Sequence, residues 1–120
     1  MITGKQNPKY KKPVITAEQD VFCRYCRQEL GLNFVKEFQF NTDRKWRFDY
    51  AILQHKVAIE VEGGAYTNGR HTRGAGFIKD MEKYNNATSN GWKLLRVTPE
   101  TLMNLSTFEL IIKTLSLCAT

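Results

Sequence analysis

Arg47-Phe-Asp-Tyr-Ala-Ile-Leu-Gln-His-Lys-Val-Ala-Ile-Glu-Val-Glu-Gly-Gly64 is the stretch that decides the fold. Two apolar runs, Arg47–Leu53 and Lys56–Val61, are separated only by Gln54 and His55, which predicts a tight antiparallel hairpin. Side chains alternate across a strand. Phe48, Tyr50 and Ile52 are therefore expected on one face, and Arg47, Asp49, Ala51 and Leu53 on the other. In the following strand Val57, Ile59 and Val61 share a face, and Ala58, Glu60 and Glu62 take the opposite one. Such a hairpin sets Asp49 beside Glu60. A carboxylate in the apolar run Val57–Val61 is costly unless a cation or hydrogen bonds compensate it. Neighbouring carboxylates also repel and raise one another's pKa. A divalent metal removes that conflict, and oxygen ligands of this kind suit Mg²⁺ or Mn²⁺. The same spacing also fits an acidic edge paired to Arg47, Lys56 or Lys83.

Working outward, Thr16 and Gln19 are spaced as a capping box, and apolar residues recur at helical spacing up to Gly31. This predicts a helix over 16–30. Phe34–Phe40 reads as a first strand, ahead of the hairpin. Residues 63–76 contain five glycines and read as a flexible loop. Phe77, Met81, Tyr84 and Thr88 line one face of a helix over 76–89, which Asn90-Gly91 ends. Trp92–Val97 is a fourth strand with Trp92 in the core. Ser106 and Glu109 form a second capping box, opening a final helix through Leu117. The order α-β-β-β-α-β-α predicts an α/β fold, a mixed sheet flanked by helices with an extra C-terminal helix.

The chain has 120 residues, 42% hydrophobic and 25% charged, which suits one globular domain and excludes a disordered or collagen-like chain. No apolar run approaches the roughly 20 residues of a membrane span, and residues 1–12, with lysines but no apolar stretch behind them, do not read as a secretory signal. Residues 1–14 read as a flexible basic arm and 15–120 as a single domain. The formal charge is +6, and the first twelve residues hold Lys5, Lys9, Lys11 and Lys12 with no acid. Arg44, Lys45 and Arg47 form a second basic cluster, Arg70 and Arg73 a third. These are candidates for nucleic-acid phosphate contact or for solvated faces. Trp46 and Tyr66 lie among them, as packing rings or as surfaces for splayed bases. Cys23, Cys26 and Cys118 lack the second pair of a four-thiolate zinc site, and read as buried reduced thiols of a cytoplasmic protein.

Asp49-Tyr-Ala-Ile, followed by Val57-Ala-Ile-Glu-Val-Glu-Gly-Gly64, resembles the metal centre of the PD-(D/E)XK, or restriction-endonuclease-like, nucleases. The chain is most similar to their small single-domain group, which includes the very-short-patch repair endonuclease and phage and bacterial domains. Gly69-Arg-His71, Asp80-Met-Glu-Lys83-Tyr and Gly91-Trp-Lys-Leu-Leu-Arg96-Val-Thr fit in the same order, so the likeness covers about residues 15–100. It implies that core, and a Mg²⁺- or Mn²⁺-dependent endonuclease acting on DNA in repair, recombination or phage DNA processing, with RNA left open. Asp49 and Glu60 match metal ligands, the Val61 carbonyl a backbone ligand, and Glu18 an acid supplied from the first helix. Glu18 is equally a helix-start acid favoured by the dipole.

The family's lysine two residues after the third-strand acid is here Glu62. Either Glu62 helps hold a metal, or the cation comes from elsewhere, with Lys83 the leading candidate. Lys83 also reads as the partner of Asp80 in a helix-surface pair. His71 is placed for proton transfer or water positioning, or is an exposed loop residue. Arg70 and Arg73 would clamp a phosphate. Two other readings stay open: a non-catalytic nucleic-acid-binding module on a decayed nuclease scaffold, and a nuclease subunit that needs a partner. The small size is also compatible with a homodimer.

Overall fold

β2 (Arg47–Ile52) and β3 (Val57–Val61) form the expected hairpin, with Tyr50 opposite Ile59, Ala51 opposite Ala58 and Ile52 opposite Val57. The computed structural model describes residues 15–63 and 74–118. The hairpin reverses at Lys56, which takes a left-handed φ of 54° and donates its amide to the Leu53 carbonyl at 3.3 Å. β1 (Val35–Gln39) lies antiparallel beside β2, and β4 (Lys93–Val97) parallel beside β3. The sheet order is β1-β2-β3-β4. A parallel neighbour cannot be reached through a tight turn, so the β3–β4 connection carries a helix, α2 (Gly74–Ser89). α1 (Val21–Tyr25) precedes the sheet and continues as a π-helical turn over Cys26–Leu30, and α3 (Leu105–Cys118) follows it. Among the described residues no helix is long and apolar enough to cross a membrane.

Each face of the sheet has its own core. On one face Phe22 and Cys23 of α1 and Cys26 of the π-helical turn pack on Tyr50, Ile52 and Ile59, with Phe108 and Ile111 of α3. The Phe22 ring lies 4.7 Å from Tyr50 and 5.1 Å from Phe34 between centroids. On the other face Phe48, Ala51 and Ala58 pack against Ala87 of α2 and Trp92. The result is a mixed sheet between helices, as expected. Fully burying an aromatic such as Phe22 or Phe48 contributes roughly 2–3 kcal/mol.

α2 ends as its sequence predicts. Gly91 takes φ 88°, its amide donates to the Thr88 carbonyl at 3.0 Å, and that of Trp92 to Ala87 at 3.0 Å. This pair of hydrogen bonds is a Schellman cap, and it carries Trp92 directly into the core beside Ala87. Trp92 is buried, as expected. Cys23 and Cys26 are free and buried, and burial pushes both thiols up to about 12. The expectation for the Cys118 thiol lies outside the described side chains, and the basic arm and the loop residues 64–73 lie outside the described residues.

Four expectations are corrected. The first helix starts at Val21, not at 16. Thr16–Gln19 is a separate turn in which Gln19 accepts from the Thr16 amide at 3.2 Å, and the helix cap is Asp20, which accepts from the Cys23 amide. The last helix starts at Leu105, so Ser106 lies inside it. The Asn104 carbonyl receives the amides of Thr107 and Phe108 instead.

Phe48 does not share a face with Tyr50 and Ile52. The pair Lys36–Tyr50 faces the α1 side and the pair Phe38–Phe48 the α2 side, although a regular pleat would put them together. The break falls at Glu37, whose φ of 53° twists β1 opposite Asp49. Finally, of the expected α2 stripe Phe77 and Met81 are 46% and 49% exposed and Thr88 is exposed too, while Tyr84 turns inward with Lys83 and Ala87. The sheet beneath carries Glu60, Glu62 and Arg96, which need polar partners more than apolar cover.

Candidate active site

The β2–β3 pairing ends at Tyr50 opposite Ile59, so Asp49 and Glu60 are the first residues beyond it, near enough that the charge of Asp49 acts on Glu60. At that point the two strands stop exchanging backbone bonds. The Asp49 side chain takes over, its Oδ2 accepting from the Val61 amide at 2.7 Å. The chain then passes Gly63, where a Cβ would stand 3.1 Å from the Pro99 ring, so the close approach of this segment to the end of β4 suits glycine.

Glu60 is buried, with a side chain only 10% exposed, and the Lys83 ammonium of α2 donates to its Oε2 at 2.7 Å. Burial pushes the Glu60 carboxyl up to about 7, the bond and charge of Lys83 oppose that shift, and the charges of Asp49 and Glu62 add to it. In the metal-free protein the group is thus poised to change charge near neutral pH, as catalytic acids and bases often are. Lys83 reaches this acid across the sheet from the helix above it, and the pairing with Asp80 read from the sequence is not made.

Glu62 is engaged differently. Its Oε2 accepts from Arg96 Nε at 2.8 Å and from the Tyr84 hydroxyl at 3.1 Å. The Arg96 guanidinium also lies 4.5 Å from the centre of the Tyr84 ring. Burial lowers the Arg96 pKa, but the bond and charge of Glu62 outweigh it and hold it above its ordinary value. Burial and the charge of Glu62 push the Tyr84 hydroxyl up.

Two open clefts flank the carboxylates. One of about 310 Å³ is bordered by Asp49, Tyr50, Lys36 and Val61. The other, about 360 Å³, is bordered by Glu62, Arg96, Thr98 and Ser106.

Glu18 is exposed in the turn ahead of α1 and not on the helix. The acid of that region that meets the sheet is Asp20. It accepts from the Tyr50 hydroxyl at 3.0 Å and from the Lys36 ammonium at 3.2 Å while capping α1. Burial works against its ionisation, but these donors prevail and hold its pKa below the usual value. Sequence reading missed Asp20 and Arg96, and a signal existed for each. An Asp directly before an apolar helical run is a strong N-cap. An Arg inside Leu94-Leu-Arg-Val97 interrupts β4 as Glu60 interrupts β3.

Among the described residues no three His, Cys, Asp or Glu side chains converge as a ready metal-ligand group. The structure thus brings together Asp49, Glu60, Lys83 and the Val61 backbone, and turns Glu62 toward Arg96. Two carboxylates still suit a hard cation such as Mg²⁺, which keeps several waters and often takes only one or two protein carboxylates.

Of the basic candidates, Arg44 lies 4.1 Å over the Trp46 ring and pairs with Glu82 of α2 at 3.4 Å. Trp46 in turn stacks on Phe40, and so serves as half-buried packing. Lys45 and Arg47 are exposed. Lys11, Lys12, Tyr66, Arg70, His71 and Arg73 lie outside the described residues. A scan against protein-family models, a search of curated proteins and a search of solved structures each gave no match to this chain.

Proposed function

We propose that this chain is a restriction-endonuclease-like, metal-dependent endonuclease that hydrolyses phosphodiester bonds in DNA. The observation that carries the reading is the juxtaposition of Asp49 and Glu60 at the parting of β2 and β3, with the Lys83 ammonium 2.7 Å from Glu60. The element order and the mixed sheet support it further.

Asp49, Glu60 and the Val61 carbonyl would hold Mg²⁺ or Mn²⁺, which when bound lowers the pKa of water and stabilises charge on a phosphate. Asp49 is oriented by the Val61 amide, so its carboxylate needs little reorganisation. Glu60 would meet the cation as a carboxylate, the form that the bond and charge of Lys83 favour. Lys83 supplies the positive charge that the family pattern draws from position 62, and it holds a proton beside the reacting phosphate. Lys45 and Arg47 are exposed and would contact backbone phosphates without reading bases. A homodimer would present two such sites to two strands.

A second reading is a nucleic-acid-binding module on a decayed scaffold. It is favoured by the engagement of Glu62 with Arg96. Incubating supercoiled, linear, branched and single-stranded DNA with Mg²⁺, Mn²⁺ or EDTA separates the two. The nuclease reading expects metal-dependent cutting that Asp49→Ala abolishes. Salt-sensitive binding by folded protein, with no cutting in either metal, selects the module.

A further inference from the structure

The carboxylate at position 62, where the resemblance calls for a lysine, builds a site for a different cation. β3 and β4 run parallel with Glu60 beside Arg96, so Arg96 emerges on the same face as Glu60 and Lys83. Its guanidinium is held from two directions. Nε donates to Glu62 at 2.8 Å, and Cζ lies 4.5 Å from the centre of the Tyr84 ring. The Tyr84 hydroxyl fixes the same Glu62 oxygen at 3.1 Å, so the three groups lock one another. Yet the Arg96 side chain remains 53% exposed, against 24% for Glu62.

An arginine carries five N–H donors in a planar fork, and the bond to Glu62 engages the Nε edge. Arg96 also borders the 360 Å³ cleft, whose wall carries Thr98 and Ser106. A guanidinium already fixed by a carboxylate and a ring loses little freedom on meeting a second anion, and its fork matches two phosphate oxygens. Glu62 alone would repel a polyanion, and paired to Arg96 it does not.

We infer that Arg96 is a phosphate-binding residue of the nucleic-acid site, engaging a backbone phosphate that flanks the one beside Asp49 and Glu60. This rests on the nuclease reading for its ligand and is independent of cleavage for its test. Binding of fluorescein-labelled single-stranded and duplex oligonucleotides is followed by anisotropy in EDTA, across a salt series, with thermal unfolding as the check on folding. Arg96→Gln is expected to weaken binding roughly tenfold and to make the slope of log affinity against log salt shallower by about one. Arg96→Lys, which keeps the charge and loses the fork, is expected to keep the wild-type slope and to bind severalfold more weakly.

Folded Arg96→Gln with wild-type affinity and slope overturns the inference, as does Arg96→Lys binding as tightly as wild type. In both cases the nuclease reading survives if wild type cuts DNA. Wild type that neither binds nor cuts DNA overturns both.

Discussion

Glu60 links the stability of this protein to its proposed chemistry. Its carboxyl titrates near 4.5 in an unfolded chain and near 7 in the fold, chiefly because it is buried. Below about pH 4.5 both states hold the proton and the residue costs nothing. As pH rises from there to 7 the unfolded state ionises first, so stability falls, and above 7 the cost levels off at about 3 kcal/mol. Glu60→Gln is isosteric and cannot ionise. Thermal unfolding in EDTA is expected to show it more stable than wild type at pH 8 and equal to it at pH 4. The opposite sign at pH 8 would mean that the Lys83 bond outweighs burial.

Asp20 behaves in reverse, because its donors hold its folded pKa below the unfolded value. Its contribution is full above the unfolded value near 3.8 and is lost as pH falls through the lower folded one. Asp20→Ala removes the cap of α1 and strands Lys36 and the Tyr50 hydroxyl. A loss of about 2 kcal/mol is expected in denaturant unfolding at pH 7, shrinking in strong acid.

β1 and β2 explain why the site was only partly legible in the sequence. Alternation in β3 held through Ala58 and Ile59, which lie in separate cores, so the face of Glu60 followed from its neighbours. Alternation in β2 failed at Phe48, because the twist originates in the partner strand at Glu37. Nothing in Val35-Lys-Glu-Phe-Gln39 marks a residue that must adopt positive φ. Glycine would adopt that conformation without strain. Glu37→Gly is therefore expected to raise stability by roughly 1 kcal/mol in denaturant unfolding, despite its cost in chain entropy. A loss of stability would show that the Glu37 side chain makes a contribution larger than its strain.

Helix boundaries follow the same logic. Gly31 and Gly91 stop their helices as read, because a left-handed end has a direct sequence signal. The start of α1 was misread because Thr16–Gln19 and Asp20 both carry capping signals, and the packing of Phe22 and Cys23 on Tyr50 selects the second. The reach of Lys83 to Glu60 could be proposed from its place on α2. The engagement of Glu62 by Arg96 depends on the β3–β4 pairing, which joins residues 34 positions apart.

At the scale of the whole molecule, α1 and α3 close one face of the sheet and α2 the other, and the acids emerge where β2 and β3 separate. The inner face of α2 therefore supplies both cover for Trp92 and Phe48 and the cation for Glu60. The net charge of +6 favours a polyanionic partner and makes any binding to it fall with salt.

The most direct test of the central claim is nicking of supercoiled plasmid in Mg²⁺ by wild type and by Glu60→Gln, with folding verified for both by thermal unfolding. Metal-dependent nicking is expected of wild type, and none of the variant although it is at least as stable at pH 8. Equal nicking by a folded Glu60→Gln protein would contradict that claim.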